Sequence, residues 1–482
     1  MDYEELKNKL GGLADSPVIA PSASTISNIE KEFDAKFSKS KQMAAEYKKY
    51  LPGGHEHQNA IKWPFTVTMK KAAGAKMWDI DGNEFIDYLM ASGPIILGHN
   101  YPEIRDFIID LIKENGPTLG TMCEHELLAA KEIEKHYNSI NLVRFYQSGT
   151  EVGMVAARLA RCHTDKDYII KVGGSYHGWS DQMVYDLHIP GSGPMFAYGI
   201  PSGCYEKTLS IKPGKIKRLE KLLKRYNKEG KGGVAAVFLE GGGGDGMSHV
   251  VSKEFYHQAR ELCDKYDALL VCDEVITGFR LAMGGAQEYY GFDADLTMLG
   301  KIIGHGYPSA GALAGRRDVM ELLGAQAEEV DESGESIKKS VMSAGTLAGT
   351  SITCAAAYKA IKCIEKTDAI NVAGRAANKI CKGINKVFDS HALPFFAYNF
   401  NSIIHIATSG QSFYFVNLNK PDALEQIDAR RDVLAKYNAM LMLENINSLQ
   451  AMRGYTSLAH DDKSIQETTI NAFDNFCNRL LA

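Results

Sequence analysis

From residue 141 onward, short apolar runs alternate with longer stretches whose apolar residues recur every three or four positions. The runs ending near Gln147, Val172, Glu240, Asp273 and Leu299 predict strands. The periodic stretches predict helices over 151–162, 215–228 and 253–266. Such alternation builds an α/β layer with a mostly parallel sheet. Earlier in the chain, residues 1–50 are polar, with helical spacing in two pieces broken near Pro17–Pro21. Glu30 to Lys49 has the pattern of a helix lying on another surface, and Leu51-Pro-Gly-Gly54 ends it. Met77 to Tyr88 predicts two short strands around the Asp81-Gly82 turn. Ile104–Lys113 and Glu124–Tyr137 predict helices. A charged insert at 324–340 predicts an exposed loop, and a long helix follows Thr350. From about residue 372, helices and short strands at Ser402–Ala407 and Phe413–Asn417 predict a smaller α+β domain. The expected division is a helical extension at 1–50, a first segment of the small domain at 51–110, a large domain at 111–370 and the C-terminal small domain at 371–482.

Composition narrows the class. The 482 residues are 23% charged and 45% hydrophobic, with a net charge of -5, which is ordinary for a globular chain. Lys212 to Lys231 is locally basic, but Leu219, Leu222, Leu223 and Tyr226 make it a solvated amphipathic helix. Nothing points to nucleic acid. No apolar run is long enough to span a membrane, and the start Met1-Asp-Tyr-Glu-Glu has no apolar signal core. Nine cysteines without CxxC spacing suit free thiols in a reducing cytoplasm.

The chemistry gathers where the predicted strands end. Lys301 closes an apolar run and precedes Gly304 and Gly306, so its amine enters a cramped loop where it can attack a carbonyl. Asp273 closes another such run. A lysine that forms an aldimine, with an acid that keeps a pyridine nitrogen protonated, is the requirement of pyridoxal phosphate chemistry. Ser148-Gly149-Thr150 lies between a strand and a helix, where free N–H groups receive a phosphate; taken alone it is an ordinary helix cap. Tyr176, in Tyr176-His177-Gly178, offers an aromatic face for a flat ring and Val275 a small apolar one; the plain alternative is an aromatic cluster in a loop. Glu240 supports the site from behind or is structural. No metal is expected: His55-Glu-His57 lacks the spacing of a helical zinc site, and Asp79-Ile-Asp81-Gly82 lacks the further ligands of a calcium loop.

These segments resemble the class III (omega) aminotransferases, pyridoxal-phosphate enzymes of fold type I (aspartate aminotransferase-like). The resemblance covers about 50–320 and 343–355, with a weaker match at 440–475. It rests on Gly93-Pro-Ile-Ile-Leu-Gly-His-Asn100, Ser148-Gly-Thr-Glu151, Tyr176-His-Gly178, Asp273 to Arg280, Gly284-Gly-Ala-Gln287, Leu299 to Gly304 and Ala344-Gly-Thr346-Leu. Within the group, the nearest branch is that of the glutamate-1-semialdehyde 2,1-aminomutases. The resemblance implies that Lys301 forms the internal aldimine and moves the substrate proton, and that Asp273 binds the pyridine nitrogen. It further implies that Val275 and Tyr176 cover the two ring faces, that His177 belongs to the cofactor-binding set, and that Ser148, Gly149 and Thr150 hold the phosphate. Thr346 would reach the phosphate of a neighbouring subunit in a homodimer with shared active sites.

The departures bear on the reaction. The aminomutase branch places a serine and an arginine after Pro-Gly-Gly to hold a carboxylate. Here His57 and Ala60 stand in their places, so that carboxylate lacks its bidentate partner. Arg453 aligns with the substrate-carboxylate arginine of omega-aminotransferases, and Asp245 with an acid that pairs with it when idle; the plain alternative for Arg453 is a surface arginine. The expectation is a transaminase moving an amino group from an amine or amino acid to an oxo acid. An intramolecular aminomutase or a racemase is the alternative on the same scaffold.

Overall fold

The computed structural model describes residues 3–242, 251–324 and 339–482. It forms two compact units, one of residues 103–366 and one of residues 1–102 with 367–482.

The first unit is built on a seven-stranded sheet. In chain order its strands are β1 (Leu142–Tyr146), β2 (Tyr168–Val172), β3 (Thr208–Ile211), β4 (Val234–Glu240), β5 (Leu269–Asp273), β6 (Leu296–Gly300) and β7 (Gly311–Gly315). They lie in the order β1-β7-β6-β5-β4-β2-β3. Neighbours pair in parallel except β7, which runs antiparallel to both β1 and β6. Every residue of β4, β5 and β6 is buried, as expected of strands covered on both faces. Helix α1 (Gly149–Thr164) follows β1 and buries Val152, Val155, Ala156 and Leu159. Its apolar stripe meets Ile169, Phe238, Val271 and Met298 in one cluster. Two strands escape the reading from sequence. The run Gly-Ala-Leu-Ala-Gly of β7 carries almost no β-branched signal. Its glycines are required by close backbones: a Cβ on Gly315 would lie 2.3 Å from the Asp295 carbonyl oxygen. The other, β3, is a four-residue strand.

The second unit carries a four-stranded sheet (Met69–Ala73, Lys76–Asp79, Glu84–Asp87, Ile446–Asn447) and a three-stranded antiparallel sheet. The latter is Phe396–Phe400, Ile403–Ala407 and Arg453–Tyr455. Helices Ala369–Ser390, Ala423–Leu443 and Lys463–Leu481 belong to it. So do Tyr3–Asp15, Ala23–Lys36 and Ser38–Tyr50. The helix expected over 30–49 is thus two helices that part at Phe37, whose φ and ψ of -119° and 42° are not helical. The expected strand at Phe413–Asn417 is a 3₁₀ turn, Gln411–Phe415. Its first four residues are all buried, and the buried Arg430 fixes the turn by donating to the Ser409 carbonyl and to Ser412 Oγ. Among the described residues no helix is long and apolar enough to cross a membrane.

Candidate active site

The C-terminal ends of β1, β4, β5 and β6, with the segment that follows β2, bring the predicted residues of the large unit together, at the edge where open α/β sheets bind ligands. Ser148 caps α1, its Oγ accepting from Glu151 N at 3.3 Å. The capping leaves the N–H groups of the first helical turn without helical partners and adds the positive end of the helix dipole. Gly149 and Thr150 form that turn, and both are half-buried.

Val275 lies between two glycines. A Cβ on Gly149 would come within 3.0 Å of Val275 Cγ2, and one on Gly300 within 3.0 Å of Val275 Cγ1. Only glycine on both sides allows this valine to close the site floor. Gly178 backs onto Thr150 in the same way: with φ of +90°, its added Cβ would sit 2.7 Å from Thr150 Cα. The Gly178 turn thereby fixes the Tyr176-His177 loop against the start of α1.

Asp273 is 7% exposed and accepts from His177 Nδ1 at 2.8 Å through Oδ2 and from Val275 N at 3.0 Å through Oδ1. His177 is fully buried. Desolvation lowers its pKa below the ordinary 6.5, with the Asp273 carboxylate acting in the opposite direction. Glu240, one strand over and in register with Asp273, accepts from Tyr176 N at 2.8 Å. The Tyr176 ring is half-buried and stacks with His188 at 6.4 Å and 9°. Lys301 follows β6 directly, half-buried, with φ of 44°. That left-handed conformation is costly for a lysine.

These features fit pyridoxal phosphate. Glycine clearances and free N–H groups at a sixteen-residue helix suit the phosphate. A buried acid oriented by a histidine suits the pyridine nitrogen, and a half-buried amine suits the aldehyde. Thr346 is exposed on the large unit. Arg453 belongs to the second unit, where it is 3% exposed, so it is no surface arginine. Asp245 falls outside the described residues. Two residues carry more than the sequence reading assigned: His177 as the partner of Asp273, and Lys171, a fully buried lysine in β2. A lysine inside the apolar run Tyr-Ile-Ile-Lys-Val was the signal for the second. Among the described residues, Glu132, His136 and Glu365 hold ligand-type atoms within 4.8 Å of one another. Lys135 already occupies that group through Glu365, at 2.8 Å.

Fold and site together define a pyridoxal-phosphate enzyme of the aminotransferase kind. Residues 58–393 match the family Aminotransferase class-III, and the chain belongs to that family. It is 31% identical over 452 residues to a glutamate-1-semialdehyde 2,1-aminomutase of Sulfurihydrogenibium azorense, covering 91% of this chain and 98% of that one. The corresponding protein of Persephonella marina is 33% identical over 457 residues, covering 92% and 99%. An omega-transaminase of Sphaerobacter thermophilus shares the fold, with a TM-score of 0.76 at 24% identity over 92% of this chain and 98% of that one. The protein is a class III aminotransferase with pyridoxal phosphate as its cofactor, acting on small amino and oxo compounds.

Proposed function

We propose that this enzyme transfers an amino group between two molecules, from an amine or amino-acid donor to an oxo-acid acceptor. The observation that carries the reading is the pair of replacements at the carboxylate end. Ala60 is half-buried and offers no charge, while Arg453 supplies a buried guanidinium whose Nη1 donates to Tyr455 Oη at 3.5 Å. A guanidinium held in place receives a carboxylate bidentately.

The bound cofactor supplies an electron sink for electrons released when a Cα–H bond of the substrate breaks. Everything else falls to the chain. Lys301 Nζ would hold the aldehyde end of the cofactor and, as a free amine, would take and return the Cα proton of the substrate. Asp273 holds a proton on the pyridine nitrogen, and the His177 N–H keeps its carboxylate in place. Tyr176 and Val275 exclude water from the two ring faces. Ser148, Gly149 and Thr150 orient the phosphate. Arg453 admits the acceptor carboxylate.

We also propose a cytoplasmic homodimer. Thr346 is exposed between Met342 and Leu347, which are 79% and 43% exposed. On the same unit Leu119, Met122 and Leu127 are also exposed, apolar side chains of the kind that a second copy covers. The second reading, intramolecular transfer within one amino aldehyde, is favoured by the names of the relatives at 31% and 33% identity. A screen of amino donors and acceptors, following the cofactor's absorbance, decides. Bleaching by a donor and restoration by an oxo acid support transfer between molecules. Turnover of an amino aldehyde with no added acceptor, and no response to oxo acids, would establish the intramolecular reaction instead.

A further inference from the structure

One fully buried charge of the large unit is given no task by the proposed mechanism. Lys171 is fully buried in β2, and no carboxylate lies within ion-pair distance of it among the described residues. Its ammonium donates instead to two backbone carbonyls, Ser175 O at 2.9 Å and Met183 O at 2.8 Å. Both belong to the segment that carries Tyr176 and His177. Ser175 immediately precedes Tyr176, and Met183 lies on its returning limb. Lys171 pairs in register with Phe238 of β4, and Glu240 of β4 with Asp273 of β5. Residues two apart on a strand share a face, so Lys171, Glu240 and Asp273 project from the same side of the sheet. The His177 ring packs against Phe238 there, at 5.7 Å.

A buried ammonium costs several kcal/mol unless its surroundings repay it. Both of the Lys171 hydrogen bonds go to this one loop, so the cost of burying the charge is tied to where the loop sits. Asp186, Glu240 and Asp273 are the acids that act on Lys171, and His177 is the base it acts on. Burial brings the Lys171 pKa down to about 8 against the pull of those acids, so the ammonium persists at neutral pH. Its positive charge also opposes a second positive charge on His177.

We infer that Lys171 is a positioning residue for the cofactor: it pins the Tyr176-His177 loop by its two carbonyl contacts and, through its charge, keeps His177 the neutral donor to Asp273. This rests on the proposed roles of Asp273 and His177 and deepens them. The test uses the holoenzyme and the variants Lys171→Gln and Lys171→Met. Glutamine keeps N–H donors without the charge; methionine removes both. Wild type must first take up pyridoxal phosphate with its visible absorbance, since failure there would remove the site reading rather than this one. The expected result is that both variants fold, with apo Tm close to wild type for Lys171→Gln. Lys171→Gln should shift the pH midpoint of the bound cofactor's absorbance by about one unit, and Lys171→Met should in addition weaken cofactor binding about tenfold. Unchanged midpoint and affinity in both folded variants would overturn the inference. So would failure of both variants to fold, which would make Lys171 a residue of the core alone. If only Lys171→Met fails to fold, the midpoint of Lys171→Gln decides.

Discussion

His177 Nδ1 and Asp273 Oδ2 meet at 2.8 Å in a part of the large unit where the histidine has no exposed surface. The contact fixes the tautomer: with Nδ1 as donor to a carboxylate, the neutral ring carries its proton there. It also leaves Asp273 Oδ1 to Val275 N, so that both carboxylate oxygens are oriented before any ligand arrives. The strand end places the acid, and the loop after β2 aims it.

Acid stability should expose this contact. Burial depresses the folded-state pKa of His177 below 6.5, so below that pH the unfolded chain binds a proton that the folded chain does not. The stability this group contributes is therefore complete above about pH 6.5 and declines as pH falls through it. His177→Gln keeps an N–H donor and removes the titration. Unfolding measured from pH 7.5 to 5 should show a shallower acid decline in the variant than in wild type. Parallel curves would mean that His177 titrates alike in the folded and the unfolded chain.

Lys301 should show a separation of stability from function. Its φ of 44° costs a side chain about 1 kcal/mol relative to glycine. Lys301→Gly apoprotein should therefore be more stable than Lys301→Ala by about that amount. Neither variant should give a borohydride-fixed cofactor adduct, whereas wild type should. Equal stability of the two variants would argue that the loop relaxes when the lysine is gone.

Much of this site could be read from the chain because its residues sit at abrupt ends of apolar runs. Lys301, Asp273 and Ser148 each follow such a run, and a strand end is visible in one dimension. What stayed hidden depends on contacts between distant segments. His177 and Asp273 are ninety-six positions apart, so their pairing has no local signature. The antiparallel β7 was hidden for another reason: glycine and alanine are chosen there to fit close backbones, which erases the hydrophobic pattern. Phe413 to Phe415 misled because contiguous aromatics suit a buried strand and a buried turn alike.

Gly178 should be the least replaceable glycine of the site. Gly178→Ala combines an unfavourable φ of +90° with a Cβ placed 2.7 Å from backbone atom Thr150 Cα, which no side-chain rotation relieves. The strain should cost about 2 kcal/mol of stability. Because the clash separates the Tyr176 loop from the first turn of α1, pyridoxal phosphate affinity should also fall about tenfold or more. Equilibrium unfolding and cofactor titration measure the two effects separately. A variant with normal affinity would show that the loop does not help hold the phosphate.

Arg453 poses the sharpest question about substrate, because two roles for it predict different things. It lies opposite His405, which lies opposite Tyr398, so the three side chains form a row across the three-stranded sheet. Tyr398 and His405 stack at 4.8 Å and 6°. The row and the Tyr455 hydroxyl restrict the guanidinium, which suits a fixed carboxylate receptor and equally suits a purely structural residue. Arg453→Lys tells them apart, since lysine keeps the charge but loses the planar fork. As a substrate receptor, Arg453→Lys should raise KM for an oxo acid about tenfold or more, with little change for a donor amine that has no carboxylate. As a structural residue, it should lower Tm and leave the ratio of the two KM values unchanged. Measuring both quantities on one preparation settles which role the sheet was built to serve.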